Sequence, residues 1–189
     1  SGLTVINVLE MESYLAGVVP REIGGGRAER DLAAVAAQAV AARTYTVSRL
    51  GAQEARGFDL YADVRDQAYG GADWEDAVCN ESLALTAGLV LRQGERLVPT
   101  YYHSTCGGHT ASIDEIWPYE DDPVFRARPD HRPDGRPWCA ESRYVTWEAR
   151  WTWSELEAVI ADFLPAYVDY VQAGGRQRWE RDLFVPASE

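Results

Sequence analysis

What this sequence of 189 residues lacks narrows its identity first. No stretch approaches the ~20 consecutive apolar residues that a membrane-spanning helix needs, so no direct span is expected within it. Positive charge is in deficit: 18 Lys and Arg stand against 30 Asp and Glu, a net charge of −12. That balance excludes nucleic-acid binding through a general basic surface, and equally docking on an anionic membrane. No signal peptide is visible at the start. Cysteine is scarce, and Cys79, Cys106 and Cys139 neither prove nor exclude an oxidising compartment. There is no internal repeat and no low-complexity tract.

What is present is the composition of a packed globular chain. Hydrophobic residues make up 46% of it, enough for a core, and the length points to a single domain over residues 1–189. Seven Trp and ten Tyr are many for this length. They suit large core anchors and sugar-stacking platforms equally.

Helical spacing of Met11, Tyr14, Leu15 and Val18 predicts a first helix from Glu10 to Val19, stopped by Pro20. After the Gly24-Gly25-Gly26 turn, an alanine-rich helix is expected over roughly Glu29–Leu50, and a third over Asp73–Thr86. Residues 89–92 and 95–98 flank Gln93-Gly94 as a hairpin, followed by a strand from Thr100 to Ser104 and a turn at Cys106-Gly107-Gly108-His109. Pro118 to Pro137 reads as an irregular loop or a lid over a cleft. Tyr144–Trp151 alternates like a strand. Ser154 and Glu157 then resemble a capping box opening a helix through Leu164, with Leu156, Val159, Ile160 and Phe163 inward. This order predicts an α+β fold: N-terminal helices packed with a small antiparallel sheet, and a catalytic cleft between them.

Arg43 is the first chemical anomaly. It follows Leu32 by eleven residues, three turns of helix, so its stem starts on the same face as Leu32, Ala36 and Ala39. A charge there either snorkels to water or meets a carboxylate, and Glu22 in the preceding interhelical turn is the candidate. Glu22 sits between Val18-Val19-Pro20 and Ile23-Gly24, apolar neighbours of the kind that raise a carboxyl pKa toward that of a general acid. Around His103–His109, the glycines fit either a purely structural turn or a stretch lining a substrate cleft. His131 reads as a surface histidine.

Tyr14-Leu15-Ala16-Gly17-Val18-Val19-Pro20-Arg21-Glu22-Ile23 resembles the opening signature of the stage II sporulation protein D family. Ala37-Gln38-Ala39-Val40-Ala41-Ala42-Arg43-Thr44-Tyr45 is similar to its second signature, and Tyr69-Gly70-Gly71 and Thr86-Ala87-Gly88-Leu89-Val90-Leu91 continue the match. His103-Ser104-Thr105-Cys106-Gly107-Gly108-His109-Thr110, with Trp117 and Trp147 after it, resembles the third. The resemblance covers roughly residues 5–165. The family's closing glycine-rich strand pair is not recognisable beyond about residue 165, where the chain is divergent or truncated.

The resemblance implies a peptidoglycan lytic transglycosylase that cleaves the β-1,4 bond between N-acetylmuramic acid and N-acetylglucosamine, leaving 1,6-anhydro-muramic acid. It implies Glu22 as the catalytic acid with Arg43 in support, and His103, Ser104, Gly107, Gly108 and Tyr69 as substrate contacts. Its partners are glycan strands and other cell-wall hydrolases; its location is extracytoplasmic, secreted or anchored through a segment not in this sequence. The rival is a non-catalytic glycan-binding or amidase-enhancer module. A hydrolase would need a second carboxylate, for which Asp59, Asp63 and Asp66 are the candidates. No cofactor is required by the lytic reaction. In an oxidising location Cys106 and Cys139 are expected to bridge, contributing about 3–4 kcal/mol, with Cys79 buried and free. The alternative is zinc on His103, Cys106, His109 and Cys139, since some relatives carry a metal near this turn.

Overall fold

The computed structural model describes residues 3–117 and 122–172. Packing divides them into two compact units, one ending at Cys139 and one beginning at Ala140. The described elements are five α-helices and a two-stranded antiparallel sheet, an α+β arrangement.

The first unit is built on three helices: α1 (Met11–Ile23), α2 (Leu32–Arg49) and α3 (Ala77–Leu85). Leu15, Val18 and Val19 of α1 meet Val35, Ala39 and Ala42 of α2 and Cys79 and Leu83 of α3 in a buried cluster. The alanines matter here because a methyl-sized side chain lets α1 approach α2 closely, while costing no rotamer entropy in the helix.

The helix α1 does not stop at Pro20 but runs one turn beyond it. Proline removes one backbone donor and strains the preceding turn. Its ring is fully buried here, and the packing of Val18, Val19 and Pro20 holds the helix through that defect. Gly24, at φ 86°, ends it, and the Arg27 guanidinium hydrogen-bonds the carbonyls of Ile23 and Gly24. Glu22 therefore lies in the last turn of α1 rather than in the interhelical turn. Asp76 caps α3 by accepting from the N–H groups of Val78 and Cys79 at 3.0 and 3.1 Å, and it also takes the N–H of Gly26. These contacts, the one to Cys79 foremost, hold its carboxyl below the usual range. Cys79 is buried on α3, where desolvation raises its thiol to about 11.

The hairpin pairs β1 (Arg92–Gln93) with β2 (Arg96–Leu97) in the register Arg92 to Leu97. Its two-residue turn is Gly94-Glu95, one position later than expected, because Gly94 takes the positive φ of 59° that such a turn requires. Thr100–Ser104 is not a strand. Its contacts are made by side chains, Thr100 Oγ1 donating to the Ala41 carbonyl at 2.6 Å and Tyr102 meeting Gln67. A short helix, α4 (Ile113–Ile116), follows the glycine turn, and residues 122–137 are irregular with isolated bridges, His109 to Pro129 and His131 to Pro137. Residues 118–121 of the expected loop lie outside the described residues.

In the second unit, Tyr144–Trp151 is not a strand: Tyr144–Thr146 lie in a turn in which the Val145 N–H donates to the Ser142 carbonyl at 3.2 Å, and Trp147 and Trp151 are exposed. Among the described residues no sheet covers this apolar alternation. Helix α5 spans Trp153–Gln172, passing Pro165. Its capping box is Thr152 with Glu155, not Ser154 with Glu157. Val159 and Ile160, expected inward, are about half exposed; the Phe163 side chain and the tail from 173 lie outside the described residues. None of the six described tryptophans is buried, so they are not the core anchors. No helix among the described residues is long and apolar enough to cross a membrane.

Candidate active site

The end of α1 and the segment 66–70 form the site around Glu22. Glu22 is half-buried, and its Oε1 accepts the Ala68 N–H at 2.5 Å. Among the described residues its Oε2 has no hydrogen-bond partner. The segment reaches this position by lying along α1: Gly70 donates to the Gly17 carbonyl at 2.9 Å, and the Tyr69 ring stacks on Tyr14 with centroids 5.4 Å apart. That contact needs glycine at 17, since a Cβ there would fall 2.5 Å from the Tyr69 ring. Asn7 donates to the Tyr69 hydroxyl from the other side, and Arg21 stacks on Trp74 at 4.1 Å.

Beneath it, Gln67 is fully buried, joined to Tyr14 at 3.2 Å and to Tyr102 at 2.9 Å. Burial pushes the Tyr14 and Tyr102 phenols well above their ordinary value, and the nearby Glu22 charge adds to both shifts. At neutral pH both phenols are protonated, Tyr14 donating to Gln67 Oε1 and Tyr102 accepting from Gln67 Nε2.

Arg43 is buried as its helical phase required, but its partner is Glu12, not Glu22. Its Nε and Nη2 meet the two Glu12 carboxylate oxygens at 2.8 and 2.7 Å, and Nη1 donates to the Leu89 carbonyl at 3.2 Å. Glu12 and Glu22 are ten residues apart on one helix, about 15 Å along its axis. The fork–fork pair fixes the guanidinium at the opposite end of α1 from the acid. Glu12 was legible in principle: it precedes Ala16 and Val19 by four and seven residues, the core-facing phase of α1.

Two of the three candidates for a second carboxylate, Asp63 and Asp66, are held in ion pairs. Asp66 has a side chain only 1% exposed, accepting from Tyr45, Arg49 and the Tyr61 N–H. With burial, Asp66 raises the Tyr45 phenol to about 12. Asp63 pairs with Arg65, and Asp59 accepts the Gly51 N–H at 2.7 Å.

His103 and Ser104 line a separate pocket of about 210 Å³ with Cys106, Asp130, Trp138 and Cys139. Tyr102 is the covalent link between this pocket and the Glu22 cluster, since it precedes His103 and holds Gln67. Gly107 and Gly108 turn at φ 70° and 99°; a Cβ on Gly108 would lie 2.9 Å from His131 and Pro137. The structure thus joins Tyr69 to Glu22 and groups His103 and Ser104 apart from Arg43. Among the described residues no group of three or more His, Cys, Asp or Glu is assembled to hold a metal, so His103, Cys106, His109 and Cys139 do not form a ligand set. The Cys106 and Cys139 sulfurs are unbonded, 3.9 Å apart, and Cys106 donates to Asp130 at 3.2 Å. Protein refolded in a glutathione redox buffer and then unfolded without reductant should titrate as one free thiol, Cys79. Three thiols would show that the facing pair does not bridge.

A three-helix unit, a small antiparallel sheet and a half-buried glutamate held by the segment 66–70 define an α+β protein. The model of the stage II sporulation protein (SpoIID) family matches residues 1–92 of the chain. It is 34% identical over 103 residues to the amidase enhancer of Bacillus subtilis (strain 168), covering 54% of this chain and 13% of that protein. It is 28% identical over 116 residues to an uncharacterized protein of Brachyspira hyodysenteriae (strain ATCC 49526 / WA1), covering 61% and 31%. The matches thus span less than a third of either relative's length.

Proposed function

We propose that this chain is an extracytoplasmic peptidoglycan lytic transglycosylase with Glu22 as its one acid–base group. The family match over residues 1–92 and the name of the Bacillus relative support a role at the cell wall. The observation that carries the finer reading is the Glu22 carboxyl itself, with Oε1 held by a backbone N–H and Oε2 left for proton exchange. Protonated Glu22 gives its proton to the glycosidic oxygen as the bond from that oxygen to the muramic C1 breaks. The resulting carboxylate takes the proton of the muramic 6-hydroxyl as its oxygen bonds to C1. One carboxyl serves both steps, and the ion pairs that hold Asp63 and Asp66 favour this over a hydrolytic pair built on either of them. Arg43 acts in this reading by fixing α1, not by touching the acid.

The name of the Bacillus relative favours a second reading, a glycan-binding module that enhances an amidase. Mass spectrometry of products from purified glycan strands separates them. Fragments ending in 1,6-anhydro-muramic acid, lighter by one water than hydrolysis products, are expected. Reducing-end muramic acid would mean hydrolysis, and uncleaved strands would favour the binding module.

A further inference from the structure

We infer that Gln67 is the positioning residue of this site, setting Glu22 through the Ala68 N–H. The inference rests on reading Glu22 as the functional acid.

Gln67 is 0% exposed, and its amide has its full set of four partners. Oε1 accepts from the Tyr14 hydroxyl at 3.2 Å and faces the Thr46 hydroxyl at 2.7 Å. Nε2 donates to the Ala42 carbonyl at 3.2 Å and to Tyr102 at 2.9 Å. These partners come from α1, α2 and the segment before His103, so one side chain locks three parts of the unit to each other. The Ala42 carbonyl, which can only accept, selects the orientation: turned over, the amide would set its own oxygen against that carbonyl, whereas the three hydroxyls can serve either way. The next residue in the chain is Ala68, whose N–H grips Glu22 at 2.5 Å. The direction of that N–H is set by the peptide plane Gln67 begins. On the other side, Gly70 is tied to Gly17. Gln67 never touches the acid, yet it fixes one end of the short arm that does. A glutamine serving the core alone would not need its own peptide unit to end on the site's carboxylate.

The test follows the Ala68 amide by ¹H–¹⁵N NMR across a pH titration of the full chain, beside cleavage of purified glycan strands. In the wild type this amide should titrate with Glu22, and Glu22→Gln should abolish that titration, which assigns it. Gln67→Met should cut the titration amplitude by at least half and lower kcat about 10–100-fold, with KM within about twofold, as expected when an acid is misplaced rather than lost. Tyr102→Phe removes one of the four partners without altering the segment, and should cut the amplitude by a smaller but measurable fraction if Gln67→Met does not fold. An Ala68 titration unchanged in the folded variants would overturn the inference, whatever the activity. If the wild type cleaves nothing while Gln67→Met still abolishes the Ala68 response, the transglycosylase reading fails and the positioning role stands.

Discussion

Glu22→Gln should reduce glycan cleavage by at least about 10³-fold while moving the melting temperature by no more than ~2 °C. General acid–base catalysis is worth about 10²–10⁴-fold when the proton-transferring group is removed, and here a single group is asked to give a proton and then take one. The glutamine keeps the length and an oxygen that can accept the Ala68 N–H, so the arm along α1 has no reason to detach. Stability is set elsewhere, in the cluster of Leu15, Val18, Val35 and Ala39, which Glu22 does not join. Product formation by mass spectrometry beside a thermal melt gives both readouts from one preparation. A variant keeping most of the wild-type rate would remove Glu22 from the mechanism.

Glu12→Ala should have the opposite profile, a large loss of stability from a residue far from the acid. The Arg43 guanidinium is 2% exposed, and removing its carboxylate partner leaves a buried charge with only the Leu89 carbonyl and Thr86 hydroxyl. Breaking a buried pair from one side costs about 3–5 kcal/mol; because the Glu12 side chain is 44% exposed and water can replace it in part, about 2–3 kcal/mol is expected here. That corresponds to a fall of ~6–10 °C in a unit of this size. Glu12→Gln combined with Arg43→Met should be less damaging than Glu12→Ala alone, since no charge is then stranded.

The pair also sets a pH dependence. The hydrogen bond to Arg43 is the largest of the influences that hold the Glu12 carboxyl below its ordinary value of 4.5. A carboxyl depressed in the folded state stabilises it above the unfolded value and loses that contribution as pH falls through the folded one. Wild type and Glu12→Gln should therefore differ in melting temperature at pH 7 and converge below pH 4.5. A difference that persists well below pH 4.5 would show that it does not come from the ionised Glu12 carboxylate.

The helices were legible because their apolar periodicity is strong. The buried phase of Arg43 followed from the same count. The signal for its partner lay in the phase of Glu12 on α1, whereas the apolar neighbours of Glu22 mark a carboxyl without saying which cation meets it. The strands expected at Thr100–Ser104 and Tyr144–Trp151 failed for a different reason. Alternation marks a strand only when another strand is there to receive it, and sequence alone does not say whether one is. Gln67 gave no local signal at all. Its importance comes from four partners spread between residues 14 and 102, a property of the packed chain.

Pro20 divides α1 into two mechanical pieces. Where the proline nitrogen stands there is no hydrogen to continue the ladder, so the turn carrying Glu22 is joined to the core-borne body of the helix by one fewer strut. That turn is held instead by lateral ties, Ala68 on the Glu22 carboxyl and Arg27 on the carbonyls at its end. Small tilts of the last turn should then cost little in the core, and amide exchange should quicken abruptly after residue 20 while the body of α1 stays protected. The acid rides on a joint, and the tethers on either side decide how far it swings.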